Sequence, residues 1–214
     1  MAKQGKVDGR RERSRLTRAR IVDAATACFL DQGYFSATIE DVADQAGVAV
    51  QTVYYVFGTK PNLLAAVLDA SIAGDVEPVP VLERDWVEAL RAEPDAARAV
   101  ERVVAAGVAI LSRTTPIYEV VRGAAADSEV SALLDKTRHH RRTDQRELIE
   151  ILSRCGHLGP NVEPSTAADV FYGLMSEAVF QSFVAECAWS VERFQKWATA
   201  LMVQQLVVGG APQV

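Results

Sequence analysis

At 214 residues, with 49% hydrophobic and 24% charged side chains, the chain is long enough to bury a core without disulfides or metals. It is too apolar to be disordered as a whole, and its length fits one small module plus one larger one. A formal net charge of −5 argues against a nucleic-acid partner, but the charge is unevenly spread. Residues 1–20 carry eight basic and two acidic side chains, net +6, which leaves −11 on residues 21–214. A basic arm on an acidic body is either a nucleic-acid contact or a solvated tail.

Cys28, Cys155 and Cys187 form no CxxC pair and are odd in number, a usage that suits a reducing compartment. The charged N-terminus lacks the apolar core of a signal peptide, and no segment reads as a membrane span. A cytoplasmic chain is expected.

Helical spacing dominates, and strand alternation is almost absent. Ile21, Ala24, Ala25, Cys28 and Phe29 mark one face of a helix from about Leu16 to Gln32, stopped by Gly33. Thr38 to Asp41 reads as a capping box with Asp in third place, opening a short helix with Ile39, Val42, Ala43 and Ala46 inward and Gly47 at its end. A third helix runs from about Val50 to Phe57, with Val53 and Phe57 inward. Gly58 breaks it, and Thr59 caps a fourth through Ala73, with Pro61 in its first turn. Residues 74–85 form a loop. Helices then follow around 86–91, from Pro94 to Ser112, from Pro116 to Ala126, from Ser128 to Cys155, from Ser165 to Glu186 and from Ser190 to Val207. The pattern predicts an all-α chain of about ten helices.

Two short helices joined at Gly47, behind a longer one, describe a helix-turn-helix, whose second helix enters the major groove. Its predicted outward residues are Gln51, Thr52, Tyr54 and Tyr55. Gln bonds adenine N6 and N7 together, and Thr reaches a base edge or a thymine methyl. Tyr hydroxyls, Thr38 and Lys60 suit phosphates, and basic residues before the first helix, Arg15 and Arg18 among them, add phosphate or minor-groove contacts. Taken singly, Tyr54 is equally a packing residue and Lys60 a surface lysine. Together within the motif they read as a site.

The segment Ile21 to Leu64 resembles the N-terminal domain of TetR-family transcriptional regulators. The resemblance rests on Ala24-Ala25, Phe29, Gly33-Tyr34, Thr38, Val42-Ala43, Ala46-Gly47-Val48, Thr52-Val53-Tyr54, Phe57, Lys60 and Leu63-Leu64. It implies an N-terminal three-helix DNA-binding domain and a larger C-terminal helical domain for ligand binding and dimerisation. It also places Thr52, Tyr54 and Lys60 at DNA-contact positions. Ala49 stands where the family usually has Ser, Gln51 where Gly is common, Val56 where an aromatic is common and Pro61 where an acid is common. The changes at Gln51 and Val56 bear on which operator is read.

In the C-terminal part, the last two helices are apolar over more than one face. Phe180, Phe183 and Val184, with Phe194, Trp197 and Leu201, are the candidate homodimer surface. The alternative is that other helices of the same chain cover them. Trp86, Ile110, Tyr118, Phe171, Tyr172 and Met175 are candidates to line a small-molecule pocket, although each also reads as plain core. Glu177 is an internal polar group or a dimer contact. The run Lys136 to Arg142, with His139 and His140, is a solvated basic face or a second nucleic-acid or acidic contact. Cys155 and His157 lack further ligands at metal spacing, so no metal or other cofactor is expected. There is no GxSxG, HExxH, P-loop or Rossmann pattern, which disfavours an enzyme.

The domain expectation is a basic flexible arm at 1–15, a helix-turn-helix domain with its connecting helix at 16–73, a ligand-binding and dimerisation domain at 74–207 and a tail at 208–214. The expected function is a repressor that binds a palindromic DNA operator as a homodimer and is released by a small-molecule inducer. The alternative is a regulator under a protein partner's control or acting constitutively.

Overall fold

The computed structural model describes residues 4–77 and 79–208, so residues 1–3 of the expected arm and 209–214 of the expected tail lie outside the described residues. Among the described residues the chain is all-α, with no strand. Helix α1 (Gln4–Ser36) is interrupted at Gly33, whose φ of +76° an L side chain adopts only under strain. It begins at Gln4 rather than near Leu16, so the expected arm is helical from Gln4 onward. Arg, Glu and Gln are good helix formers, and Glu12 and Arg15 pair three residues apart on its surface.

Helices α2 (Ile39–Ala46), α3 (Val50–Phe57) and α4 (Lys60–Ala73) follow with the expected bounds. After a 3₁₀ turn at Val81–Glu83 come α5 (Asp85–Arg91), α6 (Ala96–Gly123) and α7 (Ser128–Arg154). Then come α8 (Pro164–Leu174), α9 (Glu177–Gln181) with a π turn at Ser182–Glu186, and α10 (Val191–Val203) with a π turn at Gln204–Val208. No helix among the described residues is long and apolar enough to cross a membrane.

The helix pattern departs from the expected one at two places. Pro116 lies inside α6, so the two helices expected around it are one. A proline within a helix removes one backbone bond and clashes with the preceding turn, at a cost of about 3 kcal/mol. Here Ser112, Thr114 and Thr115 donate their hydroxyls back to the carbonyls of Val108, Ile110 and Leu111, at 2.7–3.0 Å. Such back-bonding bends a helix and makes room for the ring. Beyond the proline, Ile117, Tyr118 and Val121 are buried, which rewards continuation.

Conversely, the single helix expected from Ser165 to Glu186 breaks at Met175. Ser176 caps α9, accepting from Val179 N at 3.4 Å while its hydroxyl donates to Gly173 O at 2.8 Å.

The chain divides into two compact units: Met1–Pro78 with Pro116–Asp135, and Val79–Thr115 with Lys136–Val214. Residues 116–135 therefore join the N-terminal unit, where the sequence pattern assigned them to the ligand-binding part. The first unit's core joins Ile21, Phe29, Val42, Val53, Leu63 and Leu64 with Ile117, Tyr118, Val121, Val130 and Leu134. The second unit has its own core, built on Val100, Val104, Ile149, Leu152, Phe171, Met175, Phe194 and Met202. A fully buried side chain of this size contributes roughly 1.5–3 kcal/mol.

Candidate nucleic-acid interface

The α2–α3 unit owes its geometry to local chemistry. Thr38 Oγ1 accepts from Asp41 N at 3.0 Å, and Asp41 Oδ2 accepts from Thr38 N at 3.0 Å, which completes the capping box. These bonds favour the Asp41 carboxylate and hold its pKa below the usual range. At the other end Gly47 takes the left-handed conformation, φ +62°, and Val48 N closes the turn on Ala43 O at 3.0 Å. Helix α3 starts at Ala49 with no side-chain cap, as its sequence predicts. Thr59 caps α4 by accepting from Asn62 N at 3.3 Å.

Burial sorts the faces of α3. Val53 and Phe57 are inward, while Gln51, Tyr54 and Tyr55 are exposed and Thr52 is half-buried. Tyr55 is 89% exposed, a cost in apolar contact that only a partner would recover. The proposed readers thus share one polar, solvent-facing surface on a helix anchored by its opposite side.

The flanking cations are less free than their sequence suggests. The Arg18 guanidinium lies over the Phe57 ring at 4.7 Å from its centroid. Arg15 bonds Glu12 at 2.7 and 3.0 Å and also bonds Glu77, beyond α4. These two carboxylates raise its pKa further, the bond to Glu12 first. The Lys60 ammonium stands over the Tyr34 ring at 4.6 Å. Burial pushes its pKa down, and the charge of Asp127 pushes it back up.

Arg20 was not singled out by sequence. From α1 it donates to Ala46 O and to Gly47 O, the latter at 3.1 Å. It therefore serves the carbonyls at the end of α2 and holds the turn that aims α3. Its partners lie 26 and 27 residues away, so no local pattern marks it. Cys28, buried on the same helix, donates to Gln45 Oε1 at 3.1 Å. Burial raises its pKa, so it is a packing group with little thiolate.

In the C-terminal part the candidates separate. Tyr118 is buried in the first unit's core, whereas Phe171 and Met175 are buried in the second. Trp86 and Ile110 are half-buried, and Tyr172 is half-buried beneath the Arg141 guanidinium, 4.0 Å from its ring. Of the candidate dimer residues, Phe180 and Phe194 are buried within the protomer. Phe183, Val184, Trp197 and Leu201 are partly exposed. Phe183 lies between Trp189 and Trp197, with ring centroids 4.6 Å from each.

The basic run Lys136 to Arg142 is not uniformly solvated. Arg141 turns inward to Met175 O at 3.1 Å and Tyr172 O at 3.5 Å, with Glu177 at 3.9 Å. Glu177 is therefore an internal partner of Arg141, its side chain 14% exposed. His139 and His140 are exposed.

Comparison with known proteins matches residues 21–67 to the model of "Bacterial regulatory proteins, tetR family". The HTH-type transcriptional regulator SrpR of Pseudomonas putida is 39% identical over 83 residues, covering 37% of this chain and 39% of that protein. The match therefore spans well under two thirds of that relative's length. Among solved structures, the transcriptional regulator FadR from Bacillus subtilis, in complex with stearoyl-CoA, superposes with a TM-score of 0.67 at 17% identity, covering 87% of this chain and 98% of that one. NalD of Pseudomonas aeruginosa, the secondary repressor of the MexAB-OprM multidrug efflux pump, gives 0.64 at 18% identity, covering 90% and 97%. These likenesses extend the shared fold to most of the chain. Residues 21–67 are therefore a domain of the tetR-family type, and the rest of the chain shares the fold of such regulators.

Proposed function

We propose that the chain is a transcriptional repressor that binds a palindromic DNA operator as a homodimer and releases it when a small molecule binds the second unit. The observation that carries the DNA-binding reading is the outer face of α3. Gln51, Thr52, Tyr54 and Tyr55 stand on a helix fixed by buried Val53 and Phe57, and Lys60 follows at the start of α4. Polar groups on a rigid helix after a Gly47 turn meet the requirement for reading base edges, while Thr38, Arg15, Arg18 and Lys60 serve the phosphates.

The half-exposed ring cluster of Phe183, Trp189 and Trp197 supports a second copy as partner, because large aromatic side chains at a surface gain most from burial in an interface. Two copies would present two recognition helices about 34–36 Å apart, or at a longer in-phase spacing. The likeness to FadR, solved with stearoyl-CoA, and to NalD, a repressor of an efflux pump, supports ligand-controlled repression. A ligand acts this way only by binding the DNA-incompetent arrangement more tightly.

The test is a gel-shift with DNA upstream of the chain's own gene across a salt series. Sequence-selective binding that weakens with salt is expected, as is a drop in affinity in Tyr54→Ala and Lys60→Ala variants that keep the helical spectrum. No selective shift on any upstream fragment refutes the reading. Sedimentation of the same samples reports the dimer, and a thermal-shift screen of hydrophobic metabolites followed by DNA release reports the inducer.

A further inference from the structure

Lys60 is tied to two groups distant in sequence, the Tyr34 ring by contact and the Asp127 carboxylate by its charge. Its ammonium stands 4.6 Å from the centroid of the Tyr34 ring, which is buried behind the Gly33 kink. The Tyr34 hydroxyl donates in turn to Asp127 Oδ2 at 3.5 Å. Asp127 lies between α6 and α7 and caps the latter: its Oδ1 accepts from Glu129 N at 2.9 Å and Val130 N at 3.3 Å. One carboxylate therefore starts a helix, holds the tyrosine and acts by its charge on the lysine. Burial and Asp127 together push the Tyr34 hydroxyl up to about 12, so it stays a donor throughout the physiological range.

We propose that Asp127 is a brake on DNA affinity: it draws the Lys60 ammonium onto the Tyr34 face, in competition with a DNA phosphate. This rests on the reading of Lys60 as a phosphate contact. The physical reason is that one ammonium on a four-carbon stem has one charge to share. A carboxylate that attracts it in the free protein must be outbid by phosphate on binding, and the same carboxylate repels the DNA backbone. The brake is adjustable because the turn carrying Asp127 joins α6 and α7, and both helices continue into the second unit's sequence. A change in that turn alters the restraint on Lys60 without touching α3.

The test uses Asp127→Asn in the full chain. Asparagine caps a helix about as well as aspartate, so α7 keeps its start while the charge disappears. With a random-sequence duplex of about 30 base pairs at about 50 mM salt, Asp127→Asn is expected to bind roughly three- to tenfold more tightly than wild type, with the gain shrinking as salt rises. In a Lys60→Met background the gain should vanish, because the charge that Asp127 competes for is gone. Equal affinity of Asp127→Asn and wild type overturns the proposal, as does an equal gain in the Lys60→Met background, which marks a diffuse charge effect.

Tyr34→Phe keeps the ring and removes the link to Asp127, so a smaller gain of the same sign is expected. A loss of affinity shows that Asp127 and Tyr34 deliver Lys60 to phosphate and refutes the brake. A DNA-independent readout guards against misfolding artefacts. NMR titration of the Lys60 side chain should show its ammonium deprotonating at lower pH in Asp127→Asn, and an unchanged titration refutes the coupling. A wild-type chain that binds no duplex at low salt overturns the DNA-binding reading itself, an outcome distinct from all of these.

Discussion

The two units end their helices by different means. In the first, the ends are mostly local: Thr38 and Thr59 cap the helices they precede, and Gly47 and Gly58 close α2 and α3 with backbone bonds to residues three or four positions back, with Arg20 of α1 added at the end of α2. In the second, Glu163, Ser176 and Ser190 also cap locally, but two terminations rest on remote partners. Arg141 serves the last carbonyls of α8 from 31 and 34 residues away, and Gly159 N donates to Leu206 O at 2.9 Å in the closing π turn. A unit that must hold one helix at a fixed angle gains from short-range terminations, which form without waiting for the rest of the fold. Long-range terminations hold only while the whole unit is folded, so they are lost together when it opens.

This contrast can be broken experimentally. The largest effect is expected in the second core. Phe194→Ala removes a fully buried ring that meets Phe180 edge-on at 5.1 Å, and should cost about 3–5 kcal/mol by urea denaturation. Next, Arg141→Met leaves Met175 O without its donor and the mostly buried Glu177 without its partner. A loss of roughly 2 kcal/mol is expected, with faster hydrogen exchange at the α8–α9 junction. Exchange confined to distant helices would show that the guanidinium does not hold that break.

In the first unit the expected costs are smaller and local. Gly47→Ala forces an L side chain to φ +62° and places its Cβ 3.1 Å from Arg20 Nη2, so about 1–2 kcal/mol should be lost together with DNA affinity. Thr38→Ala should cost about 1 kcal/mol at neutral pH. Because the folded state lowers the Asp41 pKa, the box stabilises above the unfolded carboxylate's pKa and fades as pH falls through the lower folded value. The Thr38 side chain is the largest cause of that lowering, so the stability gap between wild type and Thr38→Ala should narrow in acid, and a constant gap refutes its part in holding the carboxylate. Smallest and opposite in sign, Ala49→Ser supplies α3 with the cap it lacks and should add about 0.5–1 kcal/mol to thermal stability.

The same contrast explains what was legible in the sequence. Helices α2, α3 and α4 were readable to the residue because caps and glycine stops lie beside the helices they bound. Pro116 misled because its helix is carried on by apolar burial beyond it, at Ile117, Tyr118 and Val121, which a breaker pattern does not weigh. The break at Met175 was marked only by Gly173 and Ser176, both ordinary within a helix, and is secured by an arginine from another helix. In the site, Gln51, Tyr54 and Tyr55 could be placed outward by periodicity alone. Arg20, and the pairings of Arg15 with Glu77 and Tyr34 with Asp127, could not, because their partners are 26 to 93 residues distant.

Helix α6 has a consequence for how the chain is born. Its last turns, and the first turns of α7, give Ile117, Tyr118, Val121, Val130 and Leu134 to the core that supports α1 to α4. An N-terminal module would ordinarily complete itself as soon as it leaves the ribosome. This one lacks part of its interior until residue 134 has emerged, so the bundle carrying α3 matures only after the whole of the second unit's first segment, Val79–Thr115, has been synthesised. A fragment ending in the loop after α4 should accordingly be soluble only if those missing apolar contacts are replaced.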